Sequence, residues 1–320
     1  MQQTKKPNPF LYTAGFKRYH TYDYALRARF GCKVARISLD AGFSCPNRDG
    51  RCGTQGCAFC SGRGSGDFCI DATVPLAEQY RMQRDALRKK WGDTPTIPYL
   101  QAFTNTYAPL ERLRAVYEEV LALPGAVGLS IATRADCLPP DVCKYLGELA
   151  QRTYLNVELG LQTANDQTAR RIGRGHTLDT FLRGYAALQA HGVPTVIHLI
   201  NGLPGEDVEQ MLQSAQLVAS LAPYGVKLHV LQLLRGTRLA QAYAVHPFPI
   251  LSMEEYVDIA CRQMELFPPQ TVLLRVCSDG LPASLVAPKW QSRKLVVQNE
   301  IDKWWIRHDS WQGKLYRMGG

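Results

Sequence analysis

The chain contains no run of about 18 apolar residues, the length a membrane-crossing helix needs. Its opening stretch, MQQTKKPNPFLYTAGF, is polar and proline-containing and lacks the apolar segment of a secretory signal. No internal repeat or low-complexity segment is evident. Acidic residues are in deficit, 28 Asp and Glu against 37 Lys and Arg, which leaves a formal charge of +9. Such an excess draws polyanions, of which nucleic acid is the commonest in the cytoplasm, although a merely soluble basic protein fits the same charge. The expected compartment is the cytoplasm, with no membrane partner. There, ten cysteines are metal ligands, catalytic groups or buried small hydrophobes sooner than disulfides.

What is present is enough apolar residue, 46% of 320, for a substantial core. Short apolar runs alternate with helical periodicity. CKVARISLD, TIPYLQAFTN, GAVGLSIATR, TYLNVELGLQ, VPTVIHLINGLPG and GVKLHVLQLL read as strands, and the amphipathic segments between them as helices. Strands without strict polar alternation, separated by helices, indicate a parallel sheet covered by helices. Six such units fit between about residues 32 and 234, fewer than the eight of a closed barrel of about 250 residues. The expected fold is therefore α/β, a partial (β/α)6 TIM-like barrel. We divide the chain into a leader (1–30), a core barrel (31–246) and a small C-terminal subdomain (247–320), the last containing a strand-like TVLLRV and a tryptophan-rich tail. In such a fold the chemistry belongs at the C-terminal ends of the strands.

The most informative stretch is SCPNRDGRCGTQGCAFCSG, residues 44–62, which holds Cys45, Cys52, Cys57 and Cys60. Glycines 50, 53 and 56 let this loop fold tightly, so that side chains can converge. A Cys57–Cys60 disulfide is one reading, but it leaves Cys45 unexplained. A four-thiol zinc site is another, yet 45 and 52 do not form the close pair zinc knuckles use. The third is a [4Fe–4S] cluster held by three thiolates with one iron left open.

A cysteine trio ending in C-x-x-C after the first strand of a βα barrel resembles the radical S-adenosylmethionine (SAM) superfamily. The trio Cys45, Cys57 and Cys60 is spaced more widely than that superfamily's usual C-x₃-C-x₂-C. It is similar to the branch holding the catalytic subunit of elongator, and more so to the bacterial YhcC/YtqA type, where CPNRDG…GC-x-FC followed by GSGDF recurs. The resemblance implies a radical SAM barrel, with Cys45, Cys57 and Cys60 as cluster ligands and Cys52 as a bystander. It implies two cofactors, a [4Fe–4S] cluster and SAM, and an external flavodoxin- or ferredoxin-like electron donor.

The same resemblance assigns SAM contacts to successive strand ends. Thr104 and Asn105 stand in QAFTNTYAP, Thr133 and Arg134 in SIATRAD, and Glu158 and Gln162 in VELGLQT. Arg174 follows in RRIGRGHT, and Gly202 and Pro204 lie in HLINGLPGE, which resembles the adenine-binding strand end. His198 departs from relatives that carry an acidic residue there. The elongator relative installs a side chain on the wobble uridine of tRNA, so the implied activity is radical chemistry on a tRNA wobble-uridine side chain. A protein or small metabolite is the alternative target, and a non-catalytic zinc-stabilised nucleic-acid-binding protein the alternative class. The tail, with Trp304, Trp305 and Trp311 among Lys303, Arg307, Lys314 and Arg317, reads either as a base-stacking surface or as a packed helix. Asp67, Arg235 and Asp279 are candidates for positioning the substrate.

Overall fold

The computed structural model describes residues 10–13, 15–278 and 283–317; Asp279 lies outside them. Seven strands form one all-parallel sheet: β1 (Ala35–Leu39), β2 (Thr96–Leu100), β3 (Gly128–Thr133), β4 (Tyr154–Gln162), β5 (Thr195–Asn201), β6 (Gly225–Val230) and β8 (Val272–Arg275). They pair in chain order. Strands β2 to β6 are buried almost throughout, as expected of strands sandwiched between a helical layer and a filled interior.

The crossover helices are α2 (Leu76–Trp91), α3 (Leu110–Leu121), α4 (Pro140–Arg152), the pair α5 (Asp166–Arg171) and α6 (Leu178–Ala190), and α7 (Val208–Leu221). Their starts are chemically marked. Proline opens α4, Thr177 Oγ1 accepts from the N–H of Thr180 to cap α6, and Asp207 forms a reciprocal capping box with Gln210 on α7.

The sheet is one strand longer than the six units read from the sequence. β8, from the stretch set apart after residue 246, pairs in parallel with β6. It reaches the sheet edge after a detour through the short strand β7 (Leu233–Leu234), α8 (Arg238–Val245) and α9 (Met253–Leu266). Strand β7 leaves the main sheet to pair antiparallel with β9 (Leu285–Ala287). The N-terminal segment is also structured: α1 (Tyr22–Phe30) sits beside β8, and the N–H of Leu273 donates to the carbonyl of His20 at 2.8 Å. The sheet does not close. β1 and β8 are its outermost strands, β8 being bridged in parallel by Thr21 at Leu273, and Arg36 and Ser38 on one and Leu274 and Arg275 on the other line a single gap. The architecture is a curled partial barrel.

The tail helix α10 (Lys294–Arg307) packs on α9 and decides between the two readings of the tryptophans. Trp305 is fully buried, and Trp304 is buried with its indole N–H donating to Asp258 Oδ1 at 3.0 Å. Only Trp311 is exposed, with Lys314 over its ring. The stripe is a packing face and not a stacking platform.

Candidate functional site

The cysteine loop follows β1 and is pinned by its own backbone. The carbonyl of Cys45 accepts from the N–H of Arg48 at 2.8 Å, and the N–H of Cys60 donates to Cys57 O at 3.0 Å. It is also tied to the turn after α5, where the N–H of Ala58 donates to Ile172 O at 2.8 Å. Asn47 is the main brace: its buried Nδ2 donates to Gly173 O at 2.9 Å and Arg174 O at 3.0 Å, and lies 3.5 Å from Cys57 Sγ. A Cβ on Gly175 would stand 2.3 Å from Asn47 Oδ1, so only glycine lets the two segments meet.

Cys45, Cys57 and Cys60 all face one cavity of about 270 Å³ at the C-terminal ends of the strands. Burial pushes the Cys57 thiol up to about 11 and raises that of Cys60, while Asn47 and Arg134 on the first and Arg48 and Ser65 on the second favour the thiolates. Cys52 takes no part in this wall. It is exposed, 3.9 Å from Asp136 Oδ2, and opens onto a separate groove. The four thiols therefore share no tetrahedral zinc site, and among the described residues no three His, Cys, Asp or Glu side chains close on one ion. All ten cysteines are unpaired in this structure, Cys57 and Cys60 among them. Cys69, Cys137, Cys143, Cys261 and Cys277 are buried core residues. Three soft donors on one wall fit a cluster whose separate irons each take one thiolate.

Of the residues anticipated around SAM, Thr104, Thr133, Arg134, Glu158, Gln162 and Arg174 line this cavity with the three cysteines. Arg134 is clamped onto Asp136 by two bonds of 2.9 and 2.8 Å and donates to Arg174 O at 2.7 Å, placing a fixed cation near Cys45 and Cys57. Arg174 is almost fully buried. It spends its fork on Leu161 O and Thr163 O, both at 2.7 Å, on His176 O at 3.0 Å, and on Asp166. In this structure it braces the end of β4. Asn105 is not on the wall: fully buried, it donates to the carbonyls of Leu100, Ala102 and Ala132. Gly202 and Pro204 lie off the wall too, Gly202 against Leu251 and Pro204 with its carbonyl accepting from Arg171. Asp67 lines the cavity, whereas Arg235 is exposed away from it. Three non-glycine residues held at positive φ, Ser65 (68°), Phe103 (58°) and Gln162 (63°), line the cavity as well. Left-handed backbone at such residues collects at functional sites because the surroundings must hold it there.

The far wall holds the groups that the motif reading did not assemble. Glu158, its side chain fully buried, accepts from Arg36 at 2.7 Å, Tyr99 at 2.7 Å and Lys227, and pairs with His198 at 2.8 Å. Burial would raise its pKa, but Arg36, Lys227 and His198 outweigh that and hold it well below the usual carboxylate range. His229 tilts against His198 with ring centroids 5.3 Å apart and shares a 2.8 Å bond with Ser278. Burial holds both imidazoles neutral, His198 down to about 4. The one signal in the sequence was polar residues at alternate positions of apolar strands, Lys227 and His229 in GVKLHV above all.

The family model for the radical SAM superfamily matches residues 49–218, more than half of the chain. The chain belongs to the radical SAM superfamily. A second model, the radical SAM C-terminal domain, matches residues 223–306. YtqA of Bacillus subtilis is 46% identical over 97% of this chain and 96% of its own length. YhcC of Escherichia coli K12 is 33% identical over 88% and 91%, respectively. Human elongator complex protein 3 is 28% identical over 54% of this chain but only 32% of its own length. In fold, the chain is similar to archaeal Elp3 of Methanocaldococcus infernus, with a TM-score of 0.61 at 17% identity, covering 84% of this chain and 63% of that one. Membership in this superfamily implies a [4Fe–4S] cluster and SAM, and the three cavity thiols are a donor set that suits the first.

Proposed function

We propose that this protein is a radical SAM enzyme that modifies a wobble-uridine side chain of tRNA in the cytoplasm. The observation that carries the radical reading is the placement of Cys45, Cys57 and Cys60 on one wall of a cavity at the strand ends, facing Thr133, Arg134 and Gln162. When bound and reduced, the cluster supplies the electron that splits SAM into methionine and a 5′-deoxyadenosyl radical, which takes a hydrogen atom from the substrate.

The remaining work falls to the chain. Cys45, Cys57 and Cys60 would hold the cluster through their three thiol sulfurs. Thr104, Thr133 and Gln162 offer hydrogen-bonding groups along the rest of the ligand's path. The Arg134 guanidinium, fixed by Asp136, balances thiolate charge. The enclosing sheet keeps water from the reacting carbon, and the Glu158 network gives the target a rigid polar surface. Supporting the tRNA target are the likeness to elongator's catalytic subunit and the formal charge of +9; the buried tail tryptophans do not contribute.

Two measurements test this. Anaerobically reconstituted protein given dithionite and SAM is expected to form 5′-deoxyadenosine; none from a fully loaded protein would sink the radical reading. Nucleoside mass spectrometry of tRNA from a strain lacking the gene is expected to show altered wobble uridines. Unaltered uridines alongside 5′-deoxyadenosine formation would move the target to a protein or small metabolite.

A further inference from the structure

The cysteine loop has two faces. Its inner face borders the cavity; its outer face borders a separate groove of about 500 Å³ lined by Asn47, Thr54, Arg170, Gly173, Gly175 and Arg238. His176 belongs to both walls, so only one layer of residues divides them. Resting on the radical SAM reading, we propose that this groove is the docking site of an acidic one-electron carrier protein, through which the cluster is reduced.

Three observations carry the proposal. The first is proximity. Gly173, in the groove wall, accepts from Asn47 Nδ2 at 2.9 Å, and that same nitrogen lies 3.5 Å from Cys57 Sγ. A hydrogen-bonded path of two contacts thus runs from the groove to a ligand sulfur. Gly173 brings no side chain of its own to the path, with the Arg238 guanidinium 3.3 Å from where a Cβ there would stand, and a substituent on Gly175 would strike Asn47.

The second is charge. Arg170 and Arg238 are exposed on α5 and α8, and neither forms an ion pair with any described residue. The one carboxylate in the wall, Asp166, is already taken by Arg174 at 3.0 Å and by the N–H of Leu178 at 2.7 Å. Burial, and after it the Arg174 charge, hold His176 neutral, its pKa lowered to about 4. The groove is therefore cationic and complementary to the acidic rim of a small redox protein.

The third is the division of labour. A substrate must enter the inner cavity to bring its reacting carbon beside SAM, so a carrier docked there would block it. On the outer face both can be bound at once. The step balances as one electron leaving the carrier's reduced flavin or iron–sulfur centre and entering the bound cluster.

The test uses reconstituted holoenzyme, a flavodoxin reduced to its hydroquinone, and the surface variant Arg170→Glu/Thr54→Glu, neither residue touching the cavity. Stopped-flow bleaching of the cluster by flavodoxin is expected to slow about tenfold in the variant, and wild-type reduction to slow likewise with added salt. Bleaching by dithionite, and dithionite-driven 5′-deoxyadenosine, are expected to stay at wild-type rates. Unchanged reduction by flavodoxin in the variant would overturn the proposal, as would equal slowing with dithionite. Weaker tRNA binding with unimpaired flavodoxin reduction would assign the groove to RNA instead. Absence of 5′-deoxyadenosine even with dithionite and a bleached cluster would remove the radical reading beneath it.

Discussion

His198 Nε2 lies 2.8 Å from Glu158 Oε2, joining β5 to β4 inside the barrel. Burial lowers the imidazole's pKa from 6.5 to about 4 in spite of that carboxylate. On unfolding below the ordinary value the imidazole gains a proton that the folded state refuses. Its contribution is therefore intact above pH 6.5 and lost as the pH falls toward 4. From pH 7 to pH 5 we expect the protein to lose about 2 kcal/mol through this group. Glu158, held well below the carboxylate range, adds its own loss only in stronger acid. Urea unfolding at both pH values, with His198→Asn as the comparison, checks this. A flat profile in the unsubstituted protein would contradict it.

Replacing Cys45, Cys57 or Cys60 with alanine removes one of three sulfur donors from the cavity wall. Each variant is expected to lose the cluster, whereas Cys52→Ala, altered in the outer groove, should keep it. Iron and sulfide per chain after anaerobic reconstitution decide the matter. Loss of iron in Cys52→Ala would require a four-thiol site.

Asn47→Ala deletes the amide N–H facing Cys57 Sγ at 3.5 Å. Hydrogen bonds to ligand sulfur ease reduction by offsetting the added negative charge. The variant's cluster is expected to titrate at a more negative midpoint in a potentiometric experiment followed by electron paramagnetic resonance. A midpoint that stays put, or moves positive, would show that this contact does not tune the cluster.

Trp305 is fully buried between α10 and its neighbours, while Trp311 is 38% exposed. Trp305→Ala should cost about 3–5 kcal/mol, the range for emptying a large aromatic site, and Trp311→Ala well under half of that. Denaturant midpoints compare them directly. Equal, small effects would mean that the tail helix is not part of the core.

Much of the fold was legible because apolar runs and capping residues act locally. TIPYLQAFTN gave the strand Thr96–Leu100, and EDVEQMLQSAQLVASLA gave a helix that starts on the Asp207 capping box. TVLLRV was recognisable as a strand, but not as the seventh in the sheet, since its partner β6 is some 40 residues earlier and pairing is chosen by packing. Thr104 and Asn105 show the limit within a site. They are adjacent in one loop, yet the first faces the cavity while the second holds three carbonyls beneath it. Arg174 is similar: the sequence shows a long cation beside a glycine-rich turn, and only the fold shows that it holds the carbonyls of Leu161, Thr163 and His176 while lining the cavity.

By itself the sequence determined where the thiols gather, in one glycine-rich loop of nineteen residues, and the family resemblance it carries is what singled out Cys45, Cys57 and Cys60. It also determined the parallel α/β class, because strand and helix periods are properties of short segments. Only the tertiary structure decided what faces those thiols. Arg36, Tyr99, His198 and Lys227 come from four different strands to surround Glu158 on a fifth. A buried carboxylate has to be neutralised by whatever the folded chain brings within reach, and no local pattern records which residues those will be.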